Sequence, residues 1–152
     1  MKIILDDLTH PKVIALLEEH LHDMRSVSPP ESVHALDLEE LRQPSIRFWS
    51  IWENDSLAGC VAMKLHNSEL GEIKSMRTSR DFHRRGIASK LLNHLLDHAK
   101  SAGLQRVSLE TGIEDYFEPA RVFYKKFGFE ECGPFAQYTN DPNSVFMTLA
   151  LV

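Results

Sequence analysis

A short basic segment around Gly86 carries the residue types that bind phosphate. Arg84 and Arg85 place two guanidinium groups directly before Gly86, and the small residues Ala88 and Ser89 follow. Guanidinium groups bind phosphate through paired N–H donors, and glycine lets an anion approach the backbone because it has no side chain. A helix that begins here would add its free N–H groups and the positive end of its dipole. The segment therefore predicts a pyrophosphate site, the alternative being a surface loop with solvated arginines.

The residues on either side of this segment predict the elements that would position it. Residues 73–77 alternate apolar and polar side chains, which is typical of a half-buried strand. After Gly86, apolar residues recur at helical spacing from Ile87 to Ala99, and Gly103 is typical of a helix end. The sequence therefore predicts a strand, a phosphate-binding loop and a helix over about 86–102.

The whole chain predicts the element order β-α-α-β-β-β-α-β-α-β-β. Pro11 suits the first turn of a helix, for which Thr9 is the expected N-cap. The order indicates a mixed sheet with helices on both faces. Besides the strand at 73–77, we predict strands at 2–8, 46–53, 57–65, 104–111, 129–132 and 145–151, and helices at about 11–25, 37–43, 86–102 and 118–127.

The composition excludes several classes of function. The 152 residues fit one domain, 1–152, and the net charge of −5 is not that of a nucleic-acid-binding protein. Two cysteines are too few for a disulfide framework, and the histidines follow no metal-binding spacing, so we predict no metal and solvated histidines. No apolar run reaches the roughly 20 residues that span a bilayer, and acidic residues follow the apolar N-terminus at once. We therefore expect a cytoplasmic protein without a membrane partner.

Two motifs resemble the GNAT superfamily of N-acetyltransferases, in the manner of its bacterial members that act on small molecules. The segment 83–88 is similar to that family's pyrophosphate loop, with His83 where members have Gln or Arg. The segment 120–129 is similar to the later family element A-x-x-(L/F)-Y-x-K-x-G-F, with Phe117 where many members have asparagine. The resemblance covers essentially the whole chain. It implies an α/β fold (α+β mixed sheet) with about seven mostly antiparallel strands, splayed between strands 4 and 5 and flanked by four helices.

The resemblance also implies acetyl-CoA as the co-substrate. Its pyrophosphate would bind the glycine loop, and its amide arm would pair with the exposed edge of the fourth strand. The cofactor-binding residues that follow from this are Met76, Arg77, Thr78, His83, Arg84, Arg85, Gly86, Ile87, Ala88, Ser89, Phe117 and Arg121.

Transfer of an acetyl group to an amine needs a base for the amine and an acid for the leaving thiolate. Glu72, early on the fourth strand, is the predicted base, with Glu69 and Glu110 as weaker candidates and an exposed structural glutamate as the alternative. Tyr124 corresponds to the tyrosine that protonates the departing sulfur in many relatives, the alternative being an aromatic packing role. A backbone N–H near Met76 is the expected donor to the oxyanion.

The acceptor end is defined only by the resemblance, which places it between the first two helices and the late hairpin. The candidate substrate-binding residues are Arg25, Ser32, His34 and Tyr138, and Arg25, Arg47 or Arg77 are candidates for holding a carboxylate. We predict direct transfer, in a ternary complex, from acetyl-CoA to a primary amine of a small molecule. Transfer to a protein or peptide amine, a longer acyl group, a non-catalytic acyl-CoA sensor and a homodimer are left open.

Overall fold

Seven strands and four α-helices account for most of the chain in the computed structural model, which describes all residues from 1 to 152. The strands β1 to β7 are Lys2–Leu5, Ile46–Glu53, Ser56–Leu65, Leu70–Thr78, Arg106–Gly112, Glu130–Cys132 and Ser144–Ala150. The helices α1 to α4 are Pro11–Val27, Leu38–Leu41, Ile87–Ser101 and Glu118–Lys126, and single 3₁₀ turns lie at Pro30–Ser32, Arg80–Phe82 and Asp115–Phe117. None of the helices combines the length and apolar character that a membrane crossing needs.

The strands form one sheet in the order β1-β2-β3-β4-β5-β7-β6. Every neighbouring pair is antiparallel except β4 and β5, which are parallel. Their pairing runs only from Leu70 with Arg106 to Glu72 with Ser108, although β4 continues to Thr78 and β5 to Gly112. The prediction of a mixed, mostly antiparallel sheet that splays between strands 4 and 5 is therefore confirmed.

Two apolar clusters hold helices against opposite faces of this sheet. On one face, Leu91, Leu92 and Leu95 of α3 are fully buried against β3 and β4, together with residues of α4. On the other face, Val13 and Leu17 of α1 pack in a separate cluster with α2, β2 and β3. The predicted placement of helices on both faces is confirmed.

The ends of the first elements differ from the prediction because local side-chain hydrogen bonds decide them. Strand β1 ends at Leu5 rather than residue 8, since an Asp6 carboxylate oxygen accepts from the Leu8 N–H at 2.8 Å. The N-cap of α1 is His10, whose Nδ1 accepts from the Lys12 N–H. Thr9, the predicted cap, instead donates its hydroxyl to Asp7 at 2.6 Å.

The prediction that the histidines are solvated is wrong for several of them. His20 of α1 is buried, with 9% of its surface exposed. His94 and His98, one turn apart on α3, meet the Trp49 ring edge-on with ring centroids 5.5 and 5.1 Å away. Imidazoles therefore extend the apolar contacts of both helices.

Candidate active site

A cleft with a volume of about 580 Å³ opens where β4 and β5 diverge. Residues 73–78 of β4 and 109–112 of β5 form its two sides, and α1 with the loop after it forms a further wall. Beyond Glu72, the edge of β4 has no partner on β5. Such an edge offers N–H and C=O groups to an extended ligand.

Strand β4 carries a bulge in the middle of this cleft. Its register with β3 shifts between Cys60 and Ala62, and Ser75 has a left-handed backbone with φ of 52°. Strand β3 packs tightly against this bulge, because a side-chain carbon at Gly59 would lie 2.7 Å from the Arg77 carbonyl oxygen. Bulges of this kind re-aim backbone groups next to active sites, and here the bulge precedes Met76, which lines the cleft.

The glycine loop leads into the N-terminus of α3, as the sequence predicted. Gly86 is the N-cap of α3, with φ of 76°, and a side-chain carbon there would meet nothing within 4 Å. His83 lines the cleft and Arg84 is exposed, while Ile87 is buried in the core and offers only its backbone. The free N–H groups of a 15-residue helix thus lie in open space beside the cleft.

The side chains of three arginines predicted to bind the cofactor are engaged within the protein, although the prediction for Arg77 concerns its backbone. Arg85 pairs with Glu53 at 2.6 Å and stacks over the Phe82 ring. Arg77 bonds Glu19 and Asp23 of α1, both at 2.6 Å, which also removes it as a carboxylate holder.

Arg121, the third of these arginines, donates to the backbone carbonyls of Gly112 and Glu114 at 2.6 and 3.1 Å. It fixes the loop between β5 and α4 and does not line the cleft. Phe117, the residue in the family's asparagine position, does line the cleft and is buried against Gly112, where an added side-chain carbon would lie 2.2 Å from its ring. The contact predicted for the Arg121 side chain is therefore not supported, whereas Phe117 stays at the cleft as an apolar wall.

Tyr124 of α4 lines the cleft and is 6% exposed. Burial raises the pKa of its phenol, so the hydroxyl keeps its proton at neutral pH. The hydroxyl makes no hydrogen bond with another protein group, although a buried phenol usually finds a partner. It is therefore free to donate to a bound ligand.

Glu72, the predicted base, is not at the wall of the cleft. It is 1% exposed, and its carboxylate accepts a hydrogen bond from the Tyr138 hydroxyl and contacts His66 at 2.8 Å and the Lys74 ammonium at 3.3 Å. The reason is its register, because Glu72 still pairs with Ser108, before the strands separate. A carboxylate enclosed in this way does not fit the predicted role of proton acceptor for a bound amine.

Glu110, a weaker candidate from sequence, occupies the position that Glu72 was predicted to hold. It lies on β5 beyond the last residue that pairs with β4, and it lines the cleft. Burial raises its pKa to about 7, even though the Lys74 ammonium acts in the opposite direction. A carboxyl group with this pKa exchanges protons readily near neutral pH. Glu69 precedes β4 and is exposed, outside the cleft.

Three of the four predicted acceptor-binding residues lie together. Ser32 donates to Asp141 at 2.6 Å, and the His34 ring meets the Tyr138 ring edge-on, while the His34 carbonyl accepts from Lys74. Ser32 and His34 line the cleft, and His34 and Tyr138 also line an adjoining polar pocket of about 480 Å³.

Two arginines proposed from sequence for the acceptor lie elsewhere. Arg25 is exposed and does not line the cleft. Arg47 donates to the carbonyls of Pro44 and Ile46. Neither side chain is available to hold a carboxylate in the cleft.

Lys74 and His20 are among the cleft residues for which the sequence predicted no role. Lys74 is 9% exposed and donates to Tyr138 and to the His34 carbonyl, both at 2.8 Å. His20 faces the cleft from α1, and its Nδ1 is buried without a hydrogen-bond partner. The alternation of β4 places Lys74 on the same face as Glu72, and the apolar stripe of α1 includes position 20. The sequence pattern could therefore have predicted that both side chains point inward.

Known proteins resemble the chain in sequence and in fold. The model of the acetyltransferase (GNAT) family matches residues 13–129. The uncharacterized N-acetyltransferase YsnE of Bacillus subtilis is 56% identical over 99% of this chain and 100% of that protein. The IAA acetyltransferase of Azospirillum brasilense is 36% identical over 89% and 88% of the two chains. The crystal structure of an aminoglycoside 6′-N-acetyltransferase complexed with coenzyme A shares the fold, with a TM-score of 0.73, 17% identity and coverage of 100% and 98%.

Proposed function

Because the chain belongs to the acetyltransferase (GNAT) family, we propose that it moves an acetyl group from acetyl-CoA directly to a primary amine of a small molecule. The chain is an acyltransferase, and we assign residues 1–152 to one catalytic domain. The cleft between β4 and β5 is the observation that carries the proposal. It joins an open helix N-terminus, an unpaired strand edge and a carboxyl group that titrates near neutral pH.

The cleft suits each part of coenzyme A. The open N-terminus of α3 at Gly86 would take the pyrophosphate, with the exposed Arg84 guanidinium beside it. The backbone of Met76, Arg77 and Thr78 would pair with the amides of the arm, because this edge of β4 has no strand partner. The solved aminoglycoside acetyltransferase of the same fold, which was complexed with coenzyme A, supports this assignment.

Three groups supply the chemistry. Glu110 removes a proton from the amine, whose nitrogen then attacks the thioester carbon while the Met76 N–H donates to the carbonyl oxygen. As the tetrahedral species collapses, the carbon–sulfur bond breaks and the electron pair leaves on sulfur. The Tyr124 hydroxyl donates its proton to that sulfur, and the phenolate takes up the second proton that the acylated nitrogen loses. The products are the acetamide, the free thiol of coenzyme A and the proton held on Glu110.

The charges around the acceptor end favour an amine over an acid. Glu110 and Asp141 line the cleft or the adjoining polar pocket, whereas Lys74 already faces Glu72. A protonated amine would be attracted to this end, and Glu110 would then remove its proton. One solved structure of the same fold is that of an enzyme named for aminoglycosides, which carry amines, and this supports a small-molecule acceptor.

A thiol-release screen tests the proposal. Purified protein is mixed with acetyl-CoA and, one at a time, amino acids, polyamines, aminoglycosides and peptides, and free thiol is measured. Calorimetry with coenzyme A runs in parallel. Amine-dependent thiol release with an acetylated product confirms the function, and a protein-amine acceptor is indicated if only peptides respond. Coenzyme A binding without release by any amine would favour a sensor and contradict the proposal.

A further inference from the structure

His20 is a buried polar side chain that the proposed chemistry leaves without a role. It lies on the inner face of α1, is 9% exposed and lines the cleft. Its Nδ1 is buried and has no hydrogen-bond partner. Leaving a buried polar atom unpaired is unfavourable, so a ring held in this way calls for an explanation in the function of the site.

The position of the ring decides which nitrogen meets a ligand. Because His20 lines the cleft and Nδ1 is the nitrogen cut off from it, Nε2 is the nitrogen that faces the cleft. Burial, followed by the charge of Arg77, lowers the pKa of His20 to about 4, so the ring is neutral at physiological pH. A neutral imidazole carries one N–H. The tautomer with that proton on Nε2 leaves only a lone pair in the dry interior and presents a donor to the cleft.

The turn of α1 that carries His20 lies against the reacting part of β4. Glu19 and Asp23, on either side of His20, both bond the Arg77 guanidinium at 2.6 Å, and Arg77 follows Met76 directly. Arg77 and Asp23 are also the charges that act on the His20 ring, whereas Lys74, Asp141 and Glu72 act on His34. His20 therefore faces the Met76 region of the cleft, and His34 faces the acceptor end.

From this arrangement we propose that His20 is a second donor to the thioester carbonyl oxygen, across the cleft from the Met76 N–H. The inference rests on the proposed function, since it takes the thioester to lie beside Met76. Neutral N–H donors held in place by burial stabilise a developing oxyanion because they need not reorganise during the reaction. His20 does not accept the proton of the amine, because a ring with so low a pKa is a weak base at neutral pH.

Three variants separate a donor from a structural side chain. His20→Leu keeps an apolar side chain and removes the N–H, whereas His20→Gln keeps a neutral N–H donor of similar reach. His22→Leu, on the exposed side of the same helix, is the matched control. Using acetyl-CoA with the best amine of the screen and a plain alkylamine, we expect His20→Leu to lower kcat about 100-fold with both. His20→Gln should recover most of that loss, and His22→Leu should match the wild type.

A measurement without an acceptor keeps the test independent of turnover. The infrared carbonyl band of bound, carbonyl-¹³C-labelled acetyl-CoA should lie at lower frequency in the wild type and His20→Gln than in His20→Leu. The inference is overturned if the band of His20→Leu lies at the wild-type frequency, if that variant is fully active, or if folded His20→Gln loses as much activity as His20→Leu. A loss confined to amines that also carry oxygen groups would also overturn it, because it would show that His20 contacts the acceptor. If the band lies lower in the wild type than in His20→Leu but no amine releases thiol, the proposed function fails and the donor role stands. Absence of acetyl-CoA binding contradicts both.

Discussion

Replacing Glu110 by Gln is expected to stabilise the fold while it removes activity. The pKa of about 7 in the folded protein lies about 2.5 above the ordinary value of 4.5, and burial is the main cause. A raised carboxyl pKa means that stability is fully present below about pH 4.5 and is lost as the pH rises through 7. At 1.36 kcal/mol for each pKa unit, the raised pKa of Glu110 lowers the free energy of unfolding by up to about 3 kcal/mol at pH 8 and by about 1 kcal/mol at pH 5, where the carboxyl ionises mainly in the unfolded chain.

Glutamine has nearly the same shape but does not ionise, so the variant avoids this cost. We expect Glu110→Gln to raise the free energy of unfolding by up to about 3 kcal/mol at pH 8 and by only about 1 kcal/mol at pH 5. The same change removes the base and should lower kcat/KM about 100-fold or more. In the wild type, kcat/KM should rise with pH through about 7, because only the ionised carboxylate takes a proton. That rise should be missing in the variant.

Urea unfolding at pH 5 and pH 8, with the thiol-release assay from pH 5.5 to 8.5, measures both effects. Glu130→Gln, an exposed glutamate on β6, is the control and should change neither stability nor activity. A stability gain that is equal at the two pH values would show that burial does not raise the Glu110 pKa. Full activity of Glu110→Gln would show that another group accepts the proton.

Two further substitutions test the two ends of the coenzyme site. Gly86→Glu places a negative side chain in the open space at the start of α3 and should lower coenzyme A affinity, measured by calorimetry, at least tenfold. The control Gly103→Glu, at a glycine with a similar φ of 80° beyond the other end of α3, should leave the affinity unchanged. Equal losses of affinity in the two variants would contradict the phosphate site. Tyr124→Phe should lower kcat roughly 100-fold and leave coenzyme A affinity unchanged. The control Tyr116→Phe, at an exposed tyrosine of the same cleft, should have little effect on either quantity. Full activity of Tyr124→Phe would show that solvent, not Tyr124, protonates the thiolate.

The sequence predicted the fold well because its signals are local and mutually consistent. The periodicity of 73–77 and of the residues after Gly86 sets a strand and a helix, and the glycine between them has the conformation that only glycine adopts at little cost. Element ends were less predictable: Thr9 is the better N-cap by residue type, but its hydroxyl donates to Asp7, and His10 accepts from the Lys12 N–H in its place. The geometry of the glycine loop before α3 was predictable because it depends on residues that are adjacent in the chain.

The side-chain contacts of the site were less predictable because they join residues far apart in sequence. Arg77 is 54 and 58 positions from the carboxylates that hold it, and Arg85 is 32 positions from Glu53. No local pattern shows that these guanidinium groups are already paired. The same limit applies to Tyr138, which reaches across 66 positions to enclose Glu72.

The pairing register of β4 and β5 gives Glu72 and Glu110 different surroundings and therefore different roles. Glu72 lies within the three paired residues, faces Lys74 at 3.3 Å and offsets its charge, whereas Glu110 lies beyond the pairing and is open to the cleft. The Lys74 ammonium lowers the pKa of Glu110 and the Glu72 carboxylate raises it. Neutralising Glu72 should therefore lower the pKa of Glu110 toward its ordinary value.

Glu72→Gln is the variant that separates tuning from proton transfer. In this variant Lys74 keeps its hydrogen bonds to Tyr138 and to the His34 carbonyl, and these bonds hold the wall of the cleft in place. We expect the rise of kcat/KM to move from about pH 7 to lower pH, with the plateau within about tenfold of the wild type, since the base is still present. The pH profile is measured on protein shown to be folded by circular dichroism. Loss of activity at every pH would return the role of base to Glu72, whereas an unshifted rise would show that the two carboxylates do not interact.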